Sequence, residues 1–142
     1  MILHASCVAH RGRGLLILGA SGAGKSTLAF EMMGFGATLV SDDRTVLRRD
    51  GAALLADAPD SLRGLIEARG IGILRARAHG PVAVALVVDL DQTEPDRLPP
   101  RCSIGLLDRD LPLVLGGGRG KLAAMLLQYL DSGPADLDLR ER

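Results

Sequence analysis

At 142 residues, 47% of them hydrophobic, the chain is long enough for one domain whose core needs no disulfide staples. Its 17 cationic and 17 anionic residues cancel, no like-charge block is long, and aromatic residues make up only 2%, which speaks against a nucleic-acid or membrane-binding face. The longest apolar run, Val82 to Val88, is far too short for a bilayer, and His4, Ser6, Arg11 and Arg13 break up the N-terminal segment, so neither a membrane span nor a secretory signal is expected.

A cytoplasmic location follows, with both Cys7 and Cys102 reduced; their separation has no metal-type pair spacing. Small or apolar side chains at Leu3, Ala5, Cys7 and Ala9 alternate as in a strand. Arg11-Gly12-Arg13-Gly14 then turns the chain into Leu15-Leu16-Ile17-Leu18, a short buried strand, so the chain opens as a β-hairpin. Gly19-Ala20-Ser21-Gly22-Ala23-Gly24-Lys25-Ser26 fits G-x-x-x-x-G-K-[ST]. Thr27 to Met33 reads as a helix closed by Gly34. Strand, glycine loop and helix in this order make a phosphate cradle. Backbone N–H groups turn inward and the helix N-terminus adds positive potential; Lys25 reaches the β/γ-phosphates and Ser26 offers a hydroxyl to Mg²⁺.

Ala37 to Val40 is a further strand that delivers Ser41-Asp42-Asp43. Arg44 to Arg49 and Ala52 to Ala56 flank Asp50-Gly51, a strong hairpin signal. Pro59 and Gly64 mark a loop before the segment from Leu65 to Leu74. Val82 to Leu90 is a buried strand, Asp91 to Pro100 a loop, and Arg101 to Leu107 and Leu111 to Leu115 are strands. Gly116-Gly117-Gly118 precedes a helix from about Gly120 to Leu130, so that a single domain would span 1–130. The segment from Asp131 onward has no sustained apolar period and reads as a flexible tail. The class is α/β, a mixed strand-rich sheet carrying the phosphate-loop unit.

Two acidic sites compete to serve a bound nucleotide. Val84 to Val88 followed by Asp89, with Asp91 close behind, looks like the apolar strand whose terminal Asp holds Mg²⁺ in ordinary phosphate-loop NTPases. The rival is the Asp42-Asp43 pair, two adjacent carboxylates that could approach one Mg²⁺ and one hydroxyl at a strand end.

The residues His4, Gly19 to Ser26, Leu39-Val40-Ser41-Asp42-Asp43-Arg44, Ile66-Glu67-Ala68-Arg69-Gly70-Ile71-Gly72-Ile73 and Asp96-Arg97-Leu98, in that order, resemble the catalytic domain of the HPr kinase/phosphorylase family. The resemblance implies a phosphoenolpyruvate-carboxykinase-like fold and ATP-dependent phosphorylation of a serine of HPr or an HPr-like carrier, within a phosphotransferase system. It further implies ATP phosphates on Gly19, Ala20, Ser21, Gly22, Ala23, Gly24, Lys25 and Ser26, and Mg²⁺ on Ser26 and Glu67. Asp43 becomes the base, Asp42 its support, and His4, Lys25 and Arg97 complete the active set. A homo-oligomer, hexameric in the long forms, is implied as well. Ala20 stands where long members usually have Asp, and Leu115 to Lys121 replaces an Arg-bearing, Pro-rich stretch associated with phosphorolysis, so the kinase direction is implied more firmly than its reverse. The match is to the short, catalytic-domain-only members. The alternatives are a phosphate-loop kinase or NTPase with a small-molecule acceptor, relying on Asp89, and a nucleotide-sensing module without catalysis.

Overall fold

The computed structural model describes residues 1–135, which form eleven strands and two α-helices. After β1 (Ile2–Leu3), β2 (Ala5–His10) turns at Arg11 and Gly12 and pairs antiparallel with β3 (Arg13–Leu18), so the expected opening hairpin is present with Cys7 opposite Leu16. β3 is buried on both sides: Leu15 and Ile17 join one hydrophobic cluster and Leu16 the other. Two-sided burial is why its sequence is a continuous apolar run rather than an alternation.

α1 (Lys25–Gly34) buries Lys25, Leu28, Ala29 and Met32, the i, i+3, i+4, i+7 stripe of a helix packed on a sheet. Gly34 does not close it. It is the last helical residue, and the capping turn follows it, where Gly36 at φ 111° donates its N–H to the Met33 carbonyl and the Ala37 N–H reaches that of Met32, both at 3.0 Å. This paired closure puts its third-from-last residue's carbonyl and a left-handed residue together, and only glycine adopts that conformation without strain.

β4 (Thr38–Ser41) lies antiparallel to β2 with a register shift between Cys7 and Val8. β5 (Thr45–Asp50) and β6 (Ala53–Asp57) form the next hairpin, but Asp50 pairs with Ala53, so the turn residues are Gly51 and Ala52 rather than Asp50 and Gly51. After one 3-10 turn at Asp60–Leu62, β7 (Leu65–Ala68) and β8 (Gly72–Arg75) make a separate two-stranded hairpin that leaves Ile71 and Ile73 exposed. β9 (Val82–Asp89), β10 (Cys102–Leu106), β11 (Arg109–Leu115) and α2 (Leu122–Ser132) follow.

The main sheet runs β1-β5-β6-β9-β3-β2-β4, and β9 also carries β11, to which β10 is paired. β6 meets β9 at Val82 and Ala83, while β11 meets it at Val87 to Asp89, so one long strand serves two neighbours along the same edge. The helices cover one side, where Leu28, Met32, Leu126 and Leu130 pack on Val8, Ile17, Leu39 and Leu86. On the other side Leu47, Leu54 and Leu111 close over Cys7, Val40 and Val87. This is the mixed, strand-rich α/β sheet anticipated from sequence. β3 and β11 both run parallel to β9, and the glycine loop leaves the carboxyl end of β3, where ligand crevices open in such sheets.

The Arg13 guanidinium donates to the carbonyls of Leu130 and Asp131 at 2.6 and 3.0 Å, and Arg11 pairs with the Asp131 carboxylate. Helix α2 therefore continues two residues into the segment expected to be a tail; 136–142 lie outside the described residues. No helix among the described residues is long and apolar enough to cross a membrane.

Candidate active site

The loop from Gly19 to Gly24 joins β3 to α1. A turn closes inside it through the Ala23 N–H and the Ala20 carbonyl at 3.0 Å, and Gly24, at φ 103°, swings the backbone into the helix. The first bond of the helical ladder runs from the Leu28 N–H to the Gly24 carbonyl at 2.9 Å, so the N–H groups of Lys25, Ser26 and Thr27 precede the ladder and are left for a ligand or solvent. They border a cavity of about 550 Å³ whose opposite wall carries Asp43, Glu67 and Arg69. Asp91 braces the loop from outside, both its carboxylate oxygens accepting from the Ala20 N–H at 3.1 and 2.9 Å.

Lys25 is only 5% exposed. Its Nζ donates to the carbonyls of Gly19 and Ala20 at 2.8 and 3.2 Å and lies 3.9 Å from Asp43 Oδ1. The cation is thus folded back over the loop with an anion within reach, a pose that an incoming phosphate could compete for.

β4 ends in the acidic pair. Asp42, 7% exposed, accepts from Ser26 Oγ at 2.7 Å and Ser6 Oγ at 3.0 Å on Oδ1, and from the Glu67 N–H at 3.0 Å on Oδ2. One buried carboxylate therefore ties β2, the first turn of α1 and β7 together. Asp43 is half-exposed, with Oδ1 at 2.7 Å from His4 Nε2. Its φ is 68°, and the Arg44 N–H closes back onto the Asp42 carbonyl at 2.8 Å. Such a three-residue turn of positive φ is rare and strained, though Asp tolerates the region better than most residues do.

His4, Lys25, Ser26, Asp42 and Asp43 are brought together at one end of the cavity, and Glu67 joins them on its wall. Arg97 is not: it stands on the exposed segment between β9 and β10 and lines neither cavity beside the glycine loop. The two acidic sites have different surroundings. Asp89 accepts from the Asp91 N–H at 2.9 Å and from Gln92 Nε2 at 2.7 Å, so both its oxygens fasten its own turn, and Asp42 is the carboxylate on Ser26.

Two residues were missed as site members. Ser6 was read as a break in an apolar run, yet His4, Ser6 and Val8 alternate on the strand face that meets α1, and period two placed Ser6 beside His4. Arg69 entered only as part of the Ile66 to Ile73 segment; without the family resemblance, Glu67 beside Arg69 would be a plain ion-paired surface segment. No such pair occurs among the described residues, and Arg69 Nη2 stands 3.7 Å from where a side chain at Gly22 would begin, over the glycine loop.

Among the described residues no three His, Cys, Asp or Glu side chains are grouped as a metal cluster. The oxygens on offer are one hydroxyl, Ser26, with Asp42 against it and Glu67 on the wall. Hard, few and partly solvent-facing, they suit an ion that keeps several waters and substrate oxygens, as Mg²⁺ does.

Residues 1–98 match the family of the HPr Serine kinase C-terminal domain. The chain is 36% identical over 103 residues to the HPr kinase/phosphorylase of Caldanaerobacter subterraneus, covering 67% of this chain and 34% of that protein. It is 34% identical over 125 residues to that of Geobacillus kaustophilus (78% and 40%), and 40% identical over 102 residues to that of Limosilactobacillus reuteri (66% and 32%). The chain thus aligns with about a third to two fifths of the length of these relatives. Among solved structures, the HPr(Ser) kinase/phosphatase from Coxiella burnetii has the same fold, with a TM-score of 0.79 at 23% identity over 92% of this chain and 94% of that one. A matched segment that contains the glycine loop, the acidic pair and the β7–β8 hairpin in this order settles the relationship: the chain belongs to the HPr serine kinase C-terminal domain family.

Proposed function

We propose that the chain is a protein-serine kinase domain that transfers the γ-phosphoryl group of ATP to a serine of HPr or an HPr-like carrier. The observation that carries this reading is the convergence of Asp43, held by His4 at 2.7 Å, with Lys25 at 3.9 Å and the open N–H groups of the glycine loop. The domain would be the unit 1–130, with the phosphate-loop topology of the phosphoenolpyruvate-carboxykinase type.

In this reading Gly19 to Ser26 cradle the ATP phosphates and Lys25 exchanges its loop carbonyls for β/γ-oxygens. Ser26 and Glu67, with Asp42 behind Ser26, would hold Mg²⁺, which neutralises phosphate charge when bound. The chain's own part in the reaction is positioning. Asp43 Oδ1 is taken by His4, and Oδ2 has no partner among the described residues, so Oδ2 is the atom that receives the serine proton. His4 fixes the rotamer of that carboxylate and shares its charge. Phosphoryl transfer has a loose transition state with little covalent work for the protein, so a placed carboxylate suffices where a strong base is not required. Arg69, over Gly22, lines the cavity together with Lys25 and supports charge on the transferred group; Arg97 does not line it.

Incubation of the protein with labelled ATP, Mg²⁺ and purified HPr tests the reading. Label on an HPr serine is the expected result, and label that remains on nucleotide or appears only as free phosphate would overturn it. The engaged oxygens of Asp89 count against a generic NTPase built on that residue. The reverse reaction, phosphorolysis of phosphoserine by inorganic phosphate, is expected to be slower, because Arg119 and Lys121 sit on a glycine-rich segment that costs entropy to order.

A further inference from the structure

We infer that Ser6 is the positioning residue of the acidic pair, the side chain that sets where Asp42 and Asp43 stand relative to the glycine loop. Ser6 lies on β2 with none of its surface exposed, and both capacities of its hydroxyl are committed to that pair. The O–H donates to Asp42 Oδ1 at 3.0 Å, and the oxygen accepts the Asp43 N–H at 3.0 Å. A buried hydroxyl must find partners. That both partners belong to the two reacting-site carboxylate residues, 36 and 37 positions away, ties the strand to the turn that carries them.

The turn needs such a fastening. Asp43 at φ 68° is in a conformation that persists only where its surroundings over-determine it. Two more buried hydroxyls flank it: Ser41 Oγ donates to the Arg44 carbonyl, and Thr45 Oγ1 donates to the Ala5 carbonyl at 2.9 Å. Those bonds hold the ends of the turn, whereas Ser6 accepts from the backbone N–H of its middle residue, Asp43. Through Asp42 the fastening continues to Ser26, whose Oγ shares the same carboxylate oxygen at 2.7 Å, so the placement of Asp43 is referred to the first turn of α1. Loss of the Ser6 hydroxyl strands the Asp43 N–H and leaves Asp42 Oδ1 with one donor. The turn then relaxes, and a displacement of about 1 Å at a proton acceptor can lower a rate by about a hundredfold.

The inference rests on the proposed kinase activity for its rate readout, and the wild-type reaction with HPr, run alongside, reports separately on that reading. The experiment compares Ser6→Ala, Ser6→Thr and Ser6→Cys with the wild type at a temperature below every melting transition. Measured for each are kcat and KM for phosphorylation of HPr and the affinity for a fluorescent ATP analogue. Ser6→Ala is expected to lose roughly ten- to a hundredfold in kcat while ATP-analogue affinity stays within about twofold, because the phosphate cradle does not involve Ser6. Ser6→Thr, which keeps a full hydroxyl, should recover most of the rate. If the extra methyl lowers its melting temperature, Ser6→Cys, close to serine in size but a weaker donor, should fall between Ala and wild type. A wild-type kcat in Ser6→Ala, or equal losses in all three variants, would overturn the positioning role. So would a loss confined to ATP-analogue affinity. If the wild type itself leaves HPr unlabelled, the kinase reading fails, and the fastening is then judged by backbone amide exchange at Asp43, which Ser6→Ala should accelerate and Ser6→Thr should not.

Discussion

Asp43→Asn is the change that most directly separates the two acidic sites. Asn tolerates a positive φ as Asp does, so the turn at 68° is retained, and its side-chain oxygen can still face His4 at the 2.7 Å contact. The amide loses the negative charge and the basic oxygen that accepts the serine proton. Removing a positioned base lowers rates by about 10² to 10⁴, or roughly 3 to 6 kcal/mol of barrier at about 1.4 kcal/mol per tenfold. Asp89→Asn keeps an oxygen for the Asp91 N–H and loses only an acceptor for Gln92 Nε2, an exposed bond worth about 1 kcal/mol or less. Initial rates of label transfer from ATP to HPr, with melting curves on the same preparations, give the comparison. Asp43→Asn should melt close to wild type and be slower than Asp89→Asn by at least about a hundredfold, the lower end of the span set above. A greater loss for Asp89→Asn would refute the assignment of the base and move the chemistry to the end of β9.

Lys25→Ala should lower the transfer rate by about 10² to 10³, the usual effect of removing one preorganised charge donor, with little change in melting temperature because its bonds are to its own loop; unchanged turnover would remove the phosphate-cradle argument. Glu67→Gln should raise the Mg²⁺ concentration needed for half-maximal rate while leaving ATP-analogue affinity nearly intact, since only the Glu67 side chain is altered and its N–H still meets Asp42; an unmoved titration would make Glu67 a bystander. Away from the site, the forked hydrogen bond from Arg63, at 2.7 and 3.3 Å, holds the Asp57 carboxyl below the usual carboxylate range. A carboxyl depressed on folding adds stability above its unfolded pKa of about 3.9, and that contribution is lost as pH falls through the lower folded value. Asp57→Asn should therefore melt below wild type at pH 7 and converge with it in strong acid, and a gap that stays constant down to that range would contradict the linkage.

Much of this protein is local in origin and so was legible in the chain. Leu15 to Leu18, the glycine loop and Lys25 to Met32 follow one another as strand, turn and helix because neighbouring residues alone set burial period, backbone freedom and capping. The Asp42-Asp43 pair, His4 and Glu67 were recognisable as a set through the family's motif. Non-local pairing decided the rest. That Asp42 rather than Asp89 meets Ser26 depends on β4 lying beside β2, while Asp89 spends its oxygens on the turn that follows it. The closure of α1 at Gly36 instead of Gly34 depends on where the chain must leave to start β4, and the β7–β8 hairpin has too exposed and glycine-rich a sequence to announce its strands. Ser6 shows the limit most clearly. Its hydroxyl has no local partner to betray it, and only the folding of β2 against the end of β4 turns an interruption in an apolar run into the group that holds both aspartates.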